Sequence, residues 1–169
     1  VLGDGGVQRV LRGLPAGAHL RTPVWAPDEK HVAFTHATTS ELQLWVLEVE
    51  SAQARRLSGV VINNVRARPF HWMPDSRALL CAALPEKPKA APADSEVPVG
   101  PAIQETTSGK KSAGRTFQDL IKSAHDEDLF EHYVTAEIAL VQVADGAVKR
   151  VTGSELLMAY EPSPDGTSL

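Results

Sequence analysis

Short runs of alternating apolar and polar residues recur along the chain, and turns built on a Pro-Asp pair separate them. These turns lie in residues 24–28 (VWAPD), 71–75 (HWMPD) and, in a weaker form, 162–166 (PSPDG). Proline presets φ for the second position of a tight turn, and aspartate accepts a hydrogen bond from its own local backbone there. Each copy therefore predicts the corner of a β-hairpin, and three copies make a repeat.

The clearest unit covers residues 20–59 and contains four predicted strands. These strands are residues 22–26, 31–35, 42–49 and 54–57. The third is apolar on both faces over its middle, which is typical of a strand packed between neighbouring sheets. Four antiparallel strands in about forty residues match the length of one propeller blade.

A second unit covers residues 66–153 and is interrupted by an insertion at 85–134. Its four strands are predicted in residues 68–72, 78–84, 136–143 and 148–151. The first part of the insertion is rich in Pro, Ala, Lys and Ser without periodicity, a composition typical of an exposed segment. Two short helices are predicted after it, because Thr116 with Asp119, and Ser123 with Asp126, form capping-box patterns.

The spacing of the corners supports the insertion. Asp28 and Asp75 are 47 residues apart, whereas Asp75 and Asp165 are 90 apart, and the surplus of 43 is close to the length of the interruption. Residues 1–19, which contain one short predicted strand at 7–11, then form the end of a preceding blade, and residues 158–169 form the start of the next. The predicted fold class is all-β: a partial β-propeller of four-stranded antiparallel blades, with a mostly loop and short-helix insertion.

Composition and charge limit the kinds of partner that the chain is expected to bind. The chain is 43% hydrophobic, as globular proteins are, and its net charge of −4 argues against a nucleic-acid partner, which requires a basic face. No apolar run approaches the roughly 20 residues that span a bilayer. The chain begins at Val1 and stops after a turn at Leu169, which indicates an internal fragment of a longer protein whose targeting information lies elsewhere.

A structural role accounts for each residue of a type that can react or bind a metal. Cys81 lies in an apolar run, which predicts a small buried hydrophobe rather than a reactive thiol. On a helix, His125, Asp128 and His132 would share one stripe of metal-ligand types. Acidic residues are favoured in the first turn of a helix by its dipole alone, and charge runs usually form a solvated face, so no metal and no cofactor are predicted.

Two arginines are candidate contacts of a substrate channel. Arg66 and Arg68 precede the first strand of the interrupted blade, and the innermost strands of a propeller line its central channel. Arginine there could bind a substrate carboxylate through bidentate hydrogen bonds. The alternative is that both are loop arginines in solvent or in surface ion pairs. The tryptophans, Trp25, Trp45 and Trp72, are predicted to pack between blades.

No catalytic residue is predicted in the chain. A serine hydrolase of the α/β type requires Gly-x-Ser-x-Gly on a strand-to-helix turn. That pattern does not occur in the sequence, and the nearest string, residues 109–114 (GKKSAG), has the wrong spacing.

Three segments of the insertion resemble a linear signature of one branch of the prolyl oligopeptidase-like serine peptidases. They are residues 99–105 (VGPAIQE), 115–121 (RTFQDLI) and 126–133 (DEDLFEHY). That branch includes the glutamyl endopeptidases of bacteria and chloroplasts, and the resemblance extends from near Gly13 to the end of the chain.

The resemblance implies a secreted, periplasmic or organellar serine peptidase with an N-terminal β-propeller and a C-terminal α/β-hydrolase domain. The catalytic triad would then lie beyond Leu169. The propeller would cover the active site and admit peptides or unfolded segments, with cleavage after glutamate. The partners implied are peptide substrates and the hydrolase domain of the same polypeptide. The alternative is a non-enzymatic propeller that binds protein partners.

Overall fold

The computed structural model describes residues 9–93, 121 and 123–168. The elements in these residues are β1 (His19–Trp25), β2 (His31–Ala37), β3 (Leu42–Glu48), β4 (Gln53–Val61), β5 (Phe70–Trp72), β6 (Ala78–Ala83), α1 (Ala124–Val134), β7 (Thr135–Gln142), β8 (Val148–Arg150) and β9 (Glu155–Leu156). No helix in this described part of the chain has the length and apolar character of a membrane span.

The strands form two antiparallel sheets. The first has the order β1-β2-β3-β4, and the second has the order β5-β6-β7-β8, with β9 added beside β7. In both sheets each of these four strands pairs with its neighbour along the chain or across the insertion, which is the up-and-down order of a propeller blade. The predicted fold class, an all-β partial propeller of four-stranded blades, is confirmed.

The insertion leaves and re-enters the second sheet at one point. Ala83 at the end of β6 pairs with Glu137 near the start of β7, so the two strands are neighbours despite the long connection. The chain divides into two compact units, one of Val1–Pro88 with Val134–Leu169 and one of Lys89–Tyr133.

One of the two predicted helices can be compared with the structure. The amide of Asp126 donates to the Ser123 hydroxyl at 3.2 Å, and the amide of Ser123 donates to the Asp126 carboxylate at 3.0 Å. This reciprocal pair is the predicted capping box, and it starts α1 by satisfying amides that lack partners within the helix. The helix predicted from Thr116 lies outside the described residues.

An apolar core joins the two sheets. Its fully buried members include Leu44 and Leu57 of the first sheet and Leu79, Cys81 and Val141 of the second. Alternate residues of a strand share one face, so the period-two pattern places these side chains between the sheets. Burial of each leucine contributes roughly 1.5–3 kcal/mol relative to exposure, so this core stabilises the packing of the two sheets on each other.

All three Pro-Asp corners have the predicted turn geometry. The aspartate carboxylate accepts from the amide two residues later in each, with distances of 2.9 Å for Asp28–Lys30, 3.0 Å for Asp75–Arg77 and 3.1 Å for Asp165–Thr167. The residue between has a positive φ of 59° at Glu29, 61° at Ser76 and 72° at Gly166. The corners are also adjacent in space: the Asp28 amide donates to the Ser76 hydroxyl at 3.0 Å, and a Cβ at Gly166 would lie 3.3 Å from Pro74 Cδ.

Two strand predictions are wrong. Residues 9–11, the described part of the strand expected at 7–11, form no strand, and Arg12 instead makes an isolated parallel bridge with Gln53. The fourth strand does not end at Leu57 but continues to Val61. The register against β3 shifts between Leu57 and Val61, and Gly59 with φ of 92° allows the extra residues to bulge without a steric penalty.

Trp72 packs between the two blades as predicted, whereas the same prediction is wrong for Trp25. Trp72 is 8% exposed within the shared core, whereas Trp25 is 59% exposed. Trp25 lies on β1, an edge strand whose residues are all exposed. Trp45 is buried on the other face of the first sheet, where it stacks on Phe34 at a ring-centroid distance of 6.4 Å.

Candidate functional site

An open cavity of about 450 Å³ lies between the segment that precedes β5 and the segment that leads to the third corner. It is lined by Arg66, Ala67, Arg68, His71, Met158, Ala159, Tyr160 and Glu161. We call it the arginine cavity. Both arginines that the sequence singled out therefore line one cavity, and three further residues with polar side chains, His71, Tyr160 and Glu161, join them there.

Tyr160 connects the two walls of the arginine cavity. Its hydroxyl accepts a hydrogen bond from the Ala82 amide at 2.8 Å and donates one to the Arg68 carbonyl at 2.9 Å. Burial raises the pKa of Tyr160 well above its ordinary value, with the nearby Cys81 thiol acting in the same direction. The phenol is therefore neutral at physiological pH, and it holds the backbone that carries Arg68 in a fixed position.

His71 faces the cavity because of its position on β5. Its neighbours Phe70 and Trp72 face the core, so the alternation of the strand turns the imidazole to the other side. The ring meets Tyr160 edge-on at a centroid distance of 4.9 Å. Its Nε2 atom is buried and makes no hydrogen bond within the described residues. Burial lowers the pKa of His71, the positive charge of Arg68 lowers it further, and Glu161 opposes both effects.

The charged groups of the cavity are available to a ligand. Arg66 and Arg68 are exposed, and within the described part of the chain neither forms an ion pair, nor does Glu161. A guanidinium offers a planar fork of donors that matches a carboxylate. The cavity thus carries two positive charges and one negative charge beside a neutral imidazole.

The sequence analysis named the two arginines that line this cavity and did not name His71, Tyr160 or Glu161. The signal for His71 was available, because His71 alternates with the core residues Phe70 and Trp72 at the start of the second corner. Tyr160 gave no comparable signal, since its partner Arg68 is 92 residues away in the chain.

The other candidate groups are not brought together. Within residues 9–93 and 123–168, no three His, Cys, Asp or Glu side chains converge as a metal site would require, and His125, Asp128 and His132 simply share α1. Cys81 is completely buried, and this burial raises its pKa far above the ordinary thiol value. The prediction that Cys81 is a buried hydrophobe is confirmed.

A second cavity, of about 640 Å³, lies where the first two corners meet. Asp28 there pairs with the His31 ring at 3.2 Å. Slight burial acts to raise the pKa of Asp28, but hydrogen bonds from the Lys30 amide and from His31 outweigh it and lower the pKa. The charged residues that line this cavity are Asp28, Glu48, Asp75, Arg55 and Arg77. The Arg55 guanidinium already donates to the Val143 carbonyl, and Asp28 and Asp75 accept from amides of their own corners.

Comparison with known proteins adds the identity of the chain's relatives. No protein-family model matches. The chain is 34% identical over 168 residues to the "Probable glutamyl endopeptidase, chloroplastic" of Oryza sativa subsp. japonica, covering 95% of this chain and 18% of the relative. It is 31% identical over 165 residues to the protein of the same name from Arabidopsis thaliana, covering 94% and 17%. A solved structure from a study of two prolyl endopeptidases is 18% identical, covers 88% of this chain and 17% of that one, and has a TM-score of 0.48.

The blades define the chain as part of a β-propeller. Its resemblance to the glutamyl endopeptidase branch of the prolyl oligopeptidase-like peptidases, first seen in the insertion segments, is confirmed by the two plant relatives. The chain spans about a fifth of the length of these relatives.

Proposed function

We propose that the chain is the substrate-gating propeller portion of a serine-type peptidase that cleaves peptide bonds after glutamate. The catalytic residues of that peptidase belong to an α/β-hydrolase domain that lies C-terminal to the chain. The observation that carries this proposal is the 34% identity over 95% of the chain to a protein named as a glutamyl endopeptidase. The arginine cavity is consistent with it, because its free guanidinium groups suit acidic peptides.

Gating requires that the blades stay closed against each other. Hydrogen bonds of side chains in the described residues cross the interface between the two sheets or their corners. Trp72 donates to the Val24 carbonyl, Arg55 donates to the Val143 and Ala144 carbonyls, and the Ser76 hydroxyl accepts from the Asp28 amide. Together with the shared core they oppose separation of the blades. A ring of such blades bounds a channel that admits an extended peptide and excludes a folded protein. Arg66 and Arg68 are the proposed contacts of the peptide in that channel.

The proposal is tested on the full-length natural protein. Two fluorogenic peptides that differ only in Glu or Gln before the scissile bond are compared, together with labelling by a fluorophosphonate probe that reacts with activated serine. We expect cleavage of the Glu peptide, at least about tenfold slower cleavage of the Gln peptide, and labelling of one serine outside this chain. Absence of both cleavage and labelling would favour the non-enzymatic propeller that binds protein partners.

A separate measurement tests gating independently of peptidase activity. The same protein should cleave a glutamate-containing peptide of about 20 residues far faster than a folded protein that displays the same segment in an exposed loop. Equal rates for the two substrates would contradict gating while leaving the peptidase activity intact.

A further inference from the structure

Three side chains of the arginine cavity have hydrogen-bonding groups that the described residues leave unpaired. The Nε2 atom of His71 is buried without a partner, although the large majority of buried polar side-chain atoms in proteins are hydrogen-bonded. The guanidinium groups of Arg66 and Arg68 line the same cavity and form no ion pair within the described residues. A ligand that accepts hydrogen bonds would satisfy all three groups at once.

We propose that Arg66, Arg68 and His71 form a carboxylate-binding site, in which His71 Nε2 donates a hydrogen bond to a carboxylate held by the arginines. This deepens the proposed function by naming the feature of the peptide that the cavity recognises. The natural ligand is an acidic side chain or the terminal carboxylate of a peptide.

The charges favour an anion over a cation. The two arginines outnumber Glu161, and the positive charge of Arg68 lowers the pKa of His71 by more than the negative charge of Glu161 raises it. A carboxylate is planar and accepts two parallel hydrogen bonds from one guanidinium, so the site can hold it by geometry as well as by charge.

Binding should be coupled to proton uptake. The groups that face His71 in the cavity are Arg66, Arg68, Glu161 and the neutral phenol of Tyr160. A bound carboxylate adds a negative charge beside the ring and raises the pKa of His71, which is lowered in the free site. The imidazole therefore takes up a proton on binding, and affinity increases as the pH falls through the pKa that His71 has in the complex.

Isothermal titration calorimetry on the full-length protein tests the site with single-residue ligands. N-acetylglutamate α-amide carries only the side-chain carboxylate, N-acetylglutamine carries only the terminal carboxylate, and N-acetylglutamine amide carries neither. We expect one or both acids to bind with a Kd of about 1 mM, the neutral amide to bind at least about tenfold more weakly, and affinity to rise from pH 8 to pH 6. The better ligand identifies the source of the carboxylate.

Single-residue variants separate the contributions of the cavity side chains to carboxylate binding. Arg66→Ala and Arg68→Ala should each weaken binding by about tenfold, whereas Arg21→Ala, which removes an exposed arginine on β1 outside the cavity, should change it less than about twofold. His71→Gln keeps a hydrogen-bond donor but cannot titrate, so it should bind the acid without the pH dependence. Glu161→Gln removes the competing negative charge and should tighten binding by roughly twofold.

Three results would overturn the carboxylate site: neither acid binding more tightly than the neutral amide, Arg66→Ala and Arg68→Ala behaving like Arg21→Ala, or inorganic phosphate binding more tightly than both acids. These outcomes are independent of peptide cleavage. Cleavage after glutamate without carboxylate binding would refute the site alone, and carboxylate binding without cleavage would refute the peptidase alone.

Discussion

The indole Nε1 of Trp72 donates a hydrogen bond of 3.0 Å to the backbone carbonyl of Val24, which lies 48 residues earlier in the neighbouring sheet. Trp72 belongs to the second Pro-Asp corner, and Val24 is the first residue of the first corner. The same corners meet through the Asp28 amide and the Ser76 hydroxyl at 3.0 Å. The repeated motif therefore performs two tasks: it turns each hairpin, and it fixes the position of one blade on the next.

Replacement of Trp72 by phenylalanine should destabilise the propeller. The variant keeps an aromatic ring in the core but loses the bond to Val24 and some packed volume, so the free energy of unfolding should fall by at least about 1 kcal/mol. In a thermal melt of the full-length protein this corresponds to a decrease in Tm of about 2–4 °C for the propeller transition. Trp25→Phe is the matched control, because Trp25 is 59% exposed and surface changes usually stay within about 0.5 kcal/mol. Equal effects of the two variants would contradict the assigned role of Trp72.

The third corner should make stability depend on pH in the acid range. Hydrogen bonds from the Ser163 hydroxyl and from the amide and hydroxyl of Thr167 lower the pKa of Asp165 to about 2. The ordinary aspartate pKa is about 3.9, so the stabilising effect of Asp165 is complete above about pH 4–5 and is lost as the pH falls towards 2.

Asp165→Asn keeps the turn acceptor but removes this titration. The difference in unfolding midpoint between the wild type and Asp165→Asn, measured in urea at a series of pH values, should therefore shrink as the pH decreases from about 5 to about 2. Glu50→Gln removes an exposed carboxylate outside the corners and serves as the control for net charge. A constant difference between wild type and Asp165→Asn across this range would refute the assignment.

Cys81 should be inert towards alkylating reagents in the native protein. Complete burial raises the pKa of its thiol, and the thiolate is the reactive form. Iodoacetamide at pH 8 should leave the Cys81 peptide unmodified in the folded full-length protein and should modify it once urea is added, as read by mass spectrometry. Native labelling at the rate of a free thiol would show that β6 opens readily.

The second blade should fold without its insertion. Ala83 and Glu137 are paired neighbours, so a short Gly-Ser linker can replace residues 86–133 and close β6 and β7 into a hairpin. We expect the full-length variant to retain the propeller transition within a few degrees of the wild-type Tm. Two linker lengths control for strain in the new loop, and failure of both to fold would show that the insertion stabilises the blade. Peptide cleavage by the folded variant then reports whether the insertion contributes to activity.

Much of the fold was predictable because its signals are local. The corner at Asp75 depends on an amide two residues away, and the capping box of α1 joins Ser123 to Asp126, three residues apart. Strand alternation also works over a few residues, which is why the blades were recognised. The extension of β4 was missed because the bulge at Gly59 follows from its register against β3 rather than from its own composition.

The amino-acid sequence is sufficient to predict the hairpin corners, the four-strand repeat, the place of the insertion and the resemblance to the glutamyl endopeptidases, since the signal for each lies in short segments or in their spacing. The burial of Trp72 and the exposure of Trp25 follow from the folded arrangement alone, and so does the cavity that Arg66, Arg68 and His71 share. The reason is the length of the chain between the partners: the bonds from Trp72 to Val24 and from Tyr160 to Arg68 join residues 48 and 92 positions apart. Such contacts exist only once the blades and corners have packed against each other.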